Sequence, residues 1–270
     1  MIYESHRLDL PEEMKNKKPL ILITNDDGYS APGIRALINA VRDLGEIVVV
    51  APDKPQSGMG HAITVSATLH LNPIEIEGIK GFSCSGTPVD CVKIATDKIL
   101  KRKPDMILSG INHGSNSSIN VIYSGTMSAA MEGAIENIPA IGFSLCDHDI
   151  NADFTAASEI CRKITQEVIE IGVPEYSCLN VNIPPIELAL IAGIKVCRQA
   201  RAVWEEEFDE RVDPQGRTYY WLTGKFINHD SGNDTDEWAL NHNFVSVVPV
   251  QCDFTHYNSL SHFKKLEIVK

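Results

Sequence analysis

The sequence predicts an α/β protein: a doubly wound, mostly parallel Rossmann-like sheet with a smaller β-rich C-terminal region. Short apolar runs alternate with segments of helical length from residue 20 to about 190. Several runs, such as EIVVVAP (46–52), are almost wholly apolar, the pattern of strands covered on both faces. The runs give way to polar, glycine-containing loops, and loops of that kind hold ligands in open α/β sheets.

Residues 1–19 are charged and aperiodic and are read as an N-terminal arm. The run 20–23 is the first strand, and Asn25, Asp26, Asp27 and Gly28 follow it at once. Pro32 suits the first position of a helix that runs to about 44, and Gly45 ends it. A second strand, 46–52, leads into a long polar loop, 53–64. Residues 65–85 have the look of irregular β structure. Thr87 and Pro88 open a helix over 88–100, with Asp90 well placed near its N-terminus. A strand at 105–110, a loop at 111–123 and a helix at about 124–137 follow. The strand 140–144, a helix at about 153–171 and the strand 178–184 complete the core, 20–190. In the remainder, 191–270, the segments 218–226 and 244–250 are strand-like and are joined by the acidic stretch 229–238. They are read as an appendage, a hairpin and tail used in assembly.

Composition excludes some classes. The 270 residues carry a formal net charge of -12, so the basic footprint of a nucleic-acid or anionic-membrane binder is missing. A phosphate substrate would need local neutralisation. The seven cysteines include no C-x-x-C pair and read as reduced thiols of a cytoplasmic protein. The first twenty residues lack the apolar core of a signal peptide, and no run approaches the ~20 apolar residues of a membrane span.

The most informative local feature is the adjacent pair Asp26 and Asp27. Two carboxylates at the mouth of a buried strand repel each other, and a cation against them relieves that. The loop with Ser57, Gly58 and His61 and the loop with Asn112 and His113 follow other strands and are expected at the same rim. Carboxylate, hydroxyl and amide oxygens form a donor set suited to one Mg²⁺ or Mn²⁺. Ser124, Gly125 and Thr126 open a helix, where free N–H groups can bind an anion or the serine can simply cap. His61 and His113 are read as proton donors, phosphate contacts or structural residues. No P-loop, G-x-G-x-x-G, G-x-S-x-G or H-E-x-x-H motif occurs at these loops.

With these residues in hand, the chain resembles the SurE family of survival proteins, metal-dependent nucleotide phosphatases. The matching segments are ILITNDDG (21–28), VVAPDKPQSGMGHAIT (49–64), SGTPVDCVK (85–93), SGINHGSN (109–116) and YSGTMSAAMEGA (123–134). LNVNIP (179–184), TYYW (218–221) and VSVVPV (245–250) extend the similarity. The resemblance implies metal ligation by Asp26, Asp27, Ser57 and Asn112, and phosphate or nucleotide contacts from Asn116 and the 124–126 helix start. Together with the loop readings, the candidate contacts are Asn25, Gly58, His61, His113, Asn116, Ser124, Gly125 and Thr126, with Asp26 and Asn112 as catalytic residues. The implied activity is hydrolysis of nucleoside 5′- and 3′-monophosphates, with short polyphosphate as a further substrate. The implied assembly is a homodimer or homotetramer with exchanged C-terminal segments. Some family members carry an aspartate at the position of Asn120, and the arm before the first strand is longer here than the family pattern. Two other readings stand beside this one. An aspartyl-phosphate phosphatase would want a lysine near its nucleophile, and none lies in the Asp26 loop. A non-catalytic metal- and nucleotide-binding module would keep the pocket without turnover.

Overall fold

The computed structural model describes residues 18–149 and 151–268. The expected arm, 1–19, falls almost entirely outside the described residues. The strands are β1 (Leu20–Thr24), β2 (Glu46–Pro52), β3 (Leu71–Ile76), β4 (Ile79–Cys84), β5 (Met106–His113), β6 (Ala140–Leu145), β7 (Ser177–Ile183), β8 (Gly193–Val196), β9 (Ala202–Val212), β10 (Thr218–Asn228) and β11 (Phe244–Gln251). The principal helices are α1 (Pro32–Val41), α2 (Pro88–Ile94), α3 (Gly125–Ile135), α4 (Thr155–Ile171) and α5 (Asp236–Asn241).

Nine strands form one sheet in the order β3-β4-β2-β1-β5-β6-β7-β11-β8. From β4 to β7 all neighbours are parallel; β3 pairs antiparallel with β4, and β11 antiparallel with β7. The chain builds outward in opposite directions from β1 and β5, so the strand order reverses between these two neighbours. A crevice opens at such a switch point, outside the carboxyl ends of the strands.

Side-chain alternation along β1 divides the core into two layers. Ile21 and Ile23 pack with Ile34, Leu37, Ile38 and Val41 of α1 and with Ile160 and Ile164 of α4. Leu22 faces the other way, toward Val92 of α2 and Met127 and Ala130 of α3. The buried positions of α1 recur at helical spacing, which explains a helix with one apolar face. In α3, ten of the eleven residues are buried. A Cβ on Gly133 would meet Ile107 Cδ1 at 2.9 Å and Ala140 Cβ at 3.0 Å, so the small residues let α3 lie close on β5 and β6.

Two expectations need correction. The helix expected over 88–100 is α-helical only to Ile94, and Ala95–Ile99 widens into a π turn. The segment 244–250 is not part of an appendage with 218–226. As β11 it lies inside the main sheet, antiparallel to β7 and parallel to β8. Its residues Val245–Val248 are buried, as an apolar run requires. The partner of β10 is β9, paired from Ala202↔Asn228 to Val212↔Thr218. This two-stranded arm projects roughly 35 Å at ~3.3 Å per residue. Sequence pattern hid β9 because AVWEEEFDERV carries five acidic residues and is exposed along nearly its whole length. Among the described residues no helix is long and apolar enough to cross a membrane.

Candidate active site

The turn after β1 is closed by its own residues. Asn25 is fully buried, and its Nδ2 donates to Gly28 O at 2.9 Å. Gly28 has φ +91°, a conformation suited to glycine, and its Cα faces the chain at Pro52 and Lys54. Gln56 N donates to Asp26 O at 2.8 Å and ties the second loop to the first.

Asp26 is 3% exposed. Its Oδ1 accepts from Thr126 Oγ1 at 2.5 Å. A Cβ on Gly125 would stand 2.7 Å from Asp26 Cβ, so the glycine lets the start of α3 touch the aspartate. Burial first, then the neighbouring Asp27 charge, pushes the Asp26 carboxyl up to about 6, against the lowering effect of the Thr126 bond. Burial also pushes Asp27 up, while the His113 backbone N–H, donating to its Oδ2 at 3.2 Å, pulls the other way. Two partly desolvated carboxylates therefore stand together at the switch point.

β5 reaches the same place through an irregularity: its register against β6 shifts between Ser109 and Asn112. Such a shift re-aims the following side chains. Asn112 Nδ2 donates to Gly114 O at 2.8 Å, which leaves its carbonyl oxygen available. The structure brings Asp26, Ser57, Gly58, Asn112, His113, Asn116 and Ser124 into the lining of one cleft of about 590 Å³. Gly125 and Thr126 lie directly behind them at the start of α3, where Ser124 Oγ caps Met127 N at 3.0 Å. Thr126 spends its hydroxyl on Asp26, and Asn25 spends its amide on the turn, so both support the site from beneath.

His61 is not brought to this cleft. Its Nε2 lies 2.9 Å from Glu132 Oε2, and Lys93 Nζ lies 2.5 Å from Glu132 Oε1. Glu132 is only 2% exposed, and a carboxylate so placed needs cationic partners. His61 serves that need on the far side of α3.

Sequence reading missed several residues that line the cleft or hold its lining in place. Asn182 Oδ1 accepts from Asn116 N, Asn180 Nδ2 donates to Asn116 O, and Asn116 Nδ2 donates to Ser144 Oγ, each at 2.8 Å. The signal was there: two asparagines at alternate positions of the apolar strand CLNVNIP share one face. Trp204 and Phe226, from the base of the arm, and Glu237 of α5 also face the cleft. Burial pushes the Glu237 carboxyl up, and its Oε1 accepts from Ser117 Oγ at 2.5 Å. Nothing local in the sequence placed these late segments beside the first strand.

The lining contains no lysine or arginine among the described residues. Nor do three or more His, Cys, Asp or Glu side chains converge among them as a metal site would need from those types alone. The donors on offer are two carboxylates with neutral hydroxyl and amide oxygens. That chemistry fits a hard divalent cation that keeps part of its water shell, and it does not fit zinc held by nitrogen and sulfur. The mutual repulsion of Asp26 and Asp27 is the physical mark of the fit.

Comparisons with known proteins agree with one another. The family model described as "Survival protein SurE" matches residues 21–206. A protein of Flavobacterium psychrophilum named 5'-nucleotidase SurE is 60% identical, over 94% of this chain and 99% of its own length. One of the same name from Christiangramia forsetii is 63% identical, over 91% of this chain and 95% of its own. The crystal structure of the SurE protein from Aquifex aeolicus superposes with a TM-score of 0.81 at 41% identity, covering 93% of this chain and 100% of that one. With its switch-point aspartates, its α3 start and these matches, the chain belongs to the SurE survival protein family.

Proposed function

We propose that this chain is a 5′-nucleotidase dependent on one divalent cation, Mg²⁺ or Mn²⁺. It hydrolyses nucleoside 5′-monophosphates to nucleoside and phosphate, and nucleoside 3′-monophosphates and short polyphosphate are further substrates. The observation that carries the reading is the pair Asp26 and Asp27, partly desolvated beside a cleft whose lining has no lysine or arginine among the described residues. The relatives' names support the reaction class.

Asp26, Asp27, Ser57 and Asn112 are the residues that would hold the ion. When bound, it neutralises phosphate charge and acidifies water for attack on phosphorus. The chain's residues do the rest. Thr126 fixes Asp26 Oδ1, which leaves Oδ2 to orient the attacking water. The Gly125 and Thr126 N–H groups, in the first turn of α3, lack intrahelical acceptors and would be free to donate to a phosphate oxygen. Asn116 is held rigidly by Asn180, Asn182 and Ser144 and offers its remaining oxygen to the substrate. The backbone N–H of His113 steadies Asp27. Asn120 cannot accept a proton at neutral pH and is not the base.

The protein is further read as cytoplasmic and as a homodimer or homotetramer assembled through the β9–β10 arm. Exposed Phe208, Tyr220, Trp221 and Leu222 on that arm are the surface such an assembly would cover. The deciding experiment follows phosphate release from AMP. Chelation should silence the protein and Mg²⁺ or Mn²⁺ restore it, and Asp27→Asn should weaken Mn²⁺ binding and remove most turnover. A protein that binds metal and AMP without releasing phosphate would be the non-catalytic module instead.

A further inference from the structure

Part of the cleft lining has a chemistry that a phosphate does not use. Trp204, at the start of β9, and Phe226, opposite it on β10, form its wall, with ring centroids 5.5 Å apart at 60°. Pro184, Pro185 and Leu240 continue the apolar lining. Trp204 is 44% exposed although tryptophan is the side chain with most to gain from burial. Its only polar atom is already engaged: Nε1 donates to Asn120 Oδ1 at 2.8 Å. Asn120 in turn sits on the short 3₁₀ turn Ser118–Ile122 that precedes α3. The turn is pinned where Ser118 N donates to Asp236 Oδ2 at 2.7 Å and Ser118 Oγ donates to Ala200 O at 2.9 Å. The indole is thus held at its edge and left open on a face, in a cleft whose volume suits a small molecule larger than phosphate.

We propose that Trp204 is the nucleobase platform of this enzyme and that Asn120 is a positioning residue that sets its plane. The inference rests on the nucleotidase reading of the same cleft. Stacking on an indole face is available to every base, because each has a π face. The substrate class that follows is the nucleoside monophosphates with little discrimination among bases, preferred over phosphomonoesters that lack an aromatic ring. The work of the Asn120 side-chain oxygen is to accept the indole N–H, which a carboxylate at this position could also do.

The test measures KM and kcat with Mn²⁺ for AMP and for ribose 5-phosphate, which presents the same phosphate and sugar without the base. Trp204→Ala should raise KM for AMP by about 5-fold to 150-fold, the range for loss of one base–aromatic stack. Its kcat for AMP and its KM for ribose 5-phosphate should stay within about twofold, as for a group that binds ground and transition states alike. Trp204→Phe, which keeps a ring, should stay close to wild type and guards against a folding defect in the alanine variant. Asn120→Ala should raise KM for AMP selectively, and Asn120→Asp should restore it. AMP should also quench intrinsic fluorescence, and Trp204→Phe should remove that quench although Trp221 and Trp238 remain. Equal losses for both substrates in Trp204→Ala, or an unchanged KM for AMP, would overturn the proposal. If wild type releases phosphate from neither substrate, the nucleotidase reading fails, and a quench by AMP that ribose 5-phosphate does not produce still supports the platform.

Discussion

Replacing Asp26 by asparagine should make the cation-free protein more stable while it destroys the site. The Asp26 carboxyl is raised from its ordinary 3.8 to about 6 by burial and by Asp27. Each pKa unit is worth about 1.4 kcal/mol, so the ionised group costs the fold up to roughly 3 kcal/mol at neutral pH. The sign follows from proton binding. Below 3.8 the group is protonated in both states and costs nothing. Between 3.8 and about 6 the folded state binds more protons than the unfolded one, so stability falls as pH rises, and above 6 the loss is complete. Asparagine keeps an acceptor for the Thr126 hydroxyl and carries no charge, so it escapes this loss and relieves Asp27 as well. Allowing for imperfect fit, Asp26→Asn should gain about 1–3 kcal/mol, a rise in Tm of roughly 3–10 °C for a chain of this size. The assay is thermal melting in chelator across pH 4 to 8. The gap between variant and wild type should open between pH 4 and 6 and stay constant above. Added Mn²⁺ should reverse the order at pH 7.5, because ligand binding to the folded state stabilises wild type alone. A variant that melts below wild type in chelator at pH 7.5 would refute the account of these carboxylates as strained against each other.

Three further outcomes follow from other parts of the structure. Gly125→Ala forces a Cβ to within 2.7 Å of Asp26 Cβ; overpacking of this kind costs roughly 1–3 kcal/mol, and phosphate release should fall at least tenfold while circular dichroism stays native. Glu132→Gln should destabilise the protein by roughly 1–3 kcal/mol at pH 7, because it discharges a buried partner of Lys93 and His61. Glu132 has a lowered pKa in the fold, so its contribution is present above its ordinary 4.5 and lost as pH falls through the lower folded value; melts of the two proteins should converge in acid. Replacing residues 207–223 by a two-residue Asn-Gly turn should shorten the arm without touching the sheet; light scattering should then report a smaller assembly, with KM for AMP preserved because Trp204 and Phe226 remain.

The core elements were legible because each announced itself locally. β1, β2 and β6 are mostly apolar runs, Pro32 starts α1 (which ends at Val41, short of the expected stop at Gly45), and Pro88 starts α2 with Asp90 in a capping box with Thr87. The carboxylate pair was legible for the same reason, since adjacency in sequence is adjacency in space at a strand end. What could not be read was any relation that only the sheet order creates. β10 and β11 both read as strands, yet β11 is largely buried in the main sheet and β10 lies on an exposed arm. His61 sits in the site loop by sequence, but the buried charge of Glu132, seventy-one residues away, claims it. Trp204 and Glu237 reach the cleft by tertiary folding alone, and no local pattern marks them.

The place of β11 in the sheet has a consequence for how the protein comes into being. The strand enters between β7 and β8 only after β8, the whole arm and α5 have been made. During vectorial synthesis the aspartate pair, the α3 start and six parallel strands can assemble early, and the exposed flank of β7 must then wait. An unfilled flank of that kind offers a row of N–H and C=O groups to any strand of matching length. A β11 from a second nascent chain has the length and pattern to fill it, as the chain's own β11 does. The order of synthesis thus gives intermolecular exchange of this terminal strand a period in which it competes with the strand's own closure.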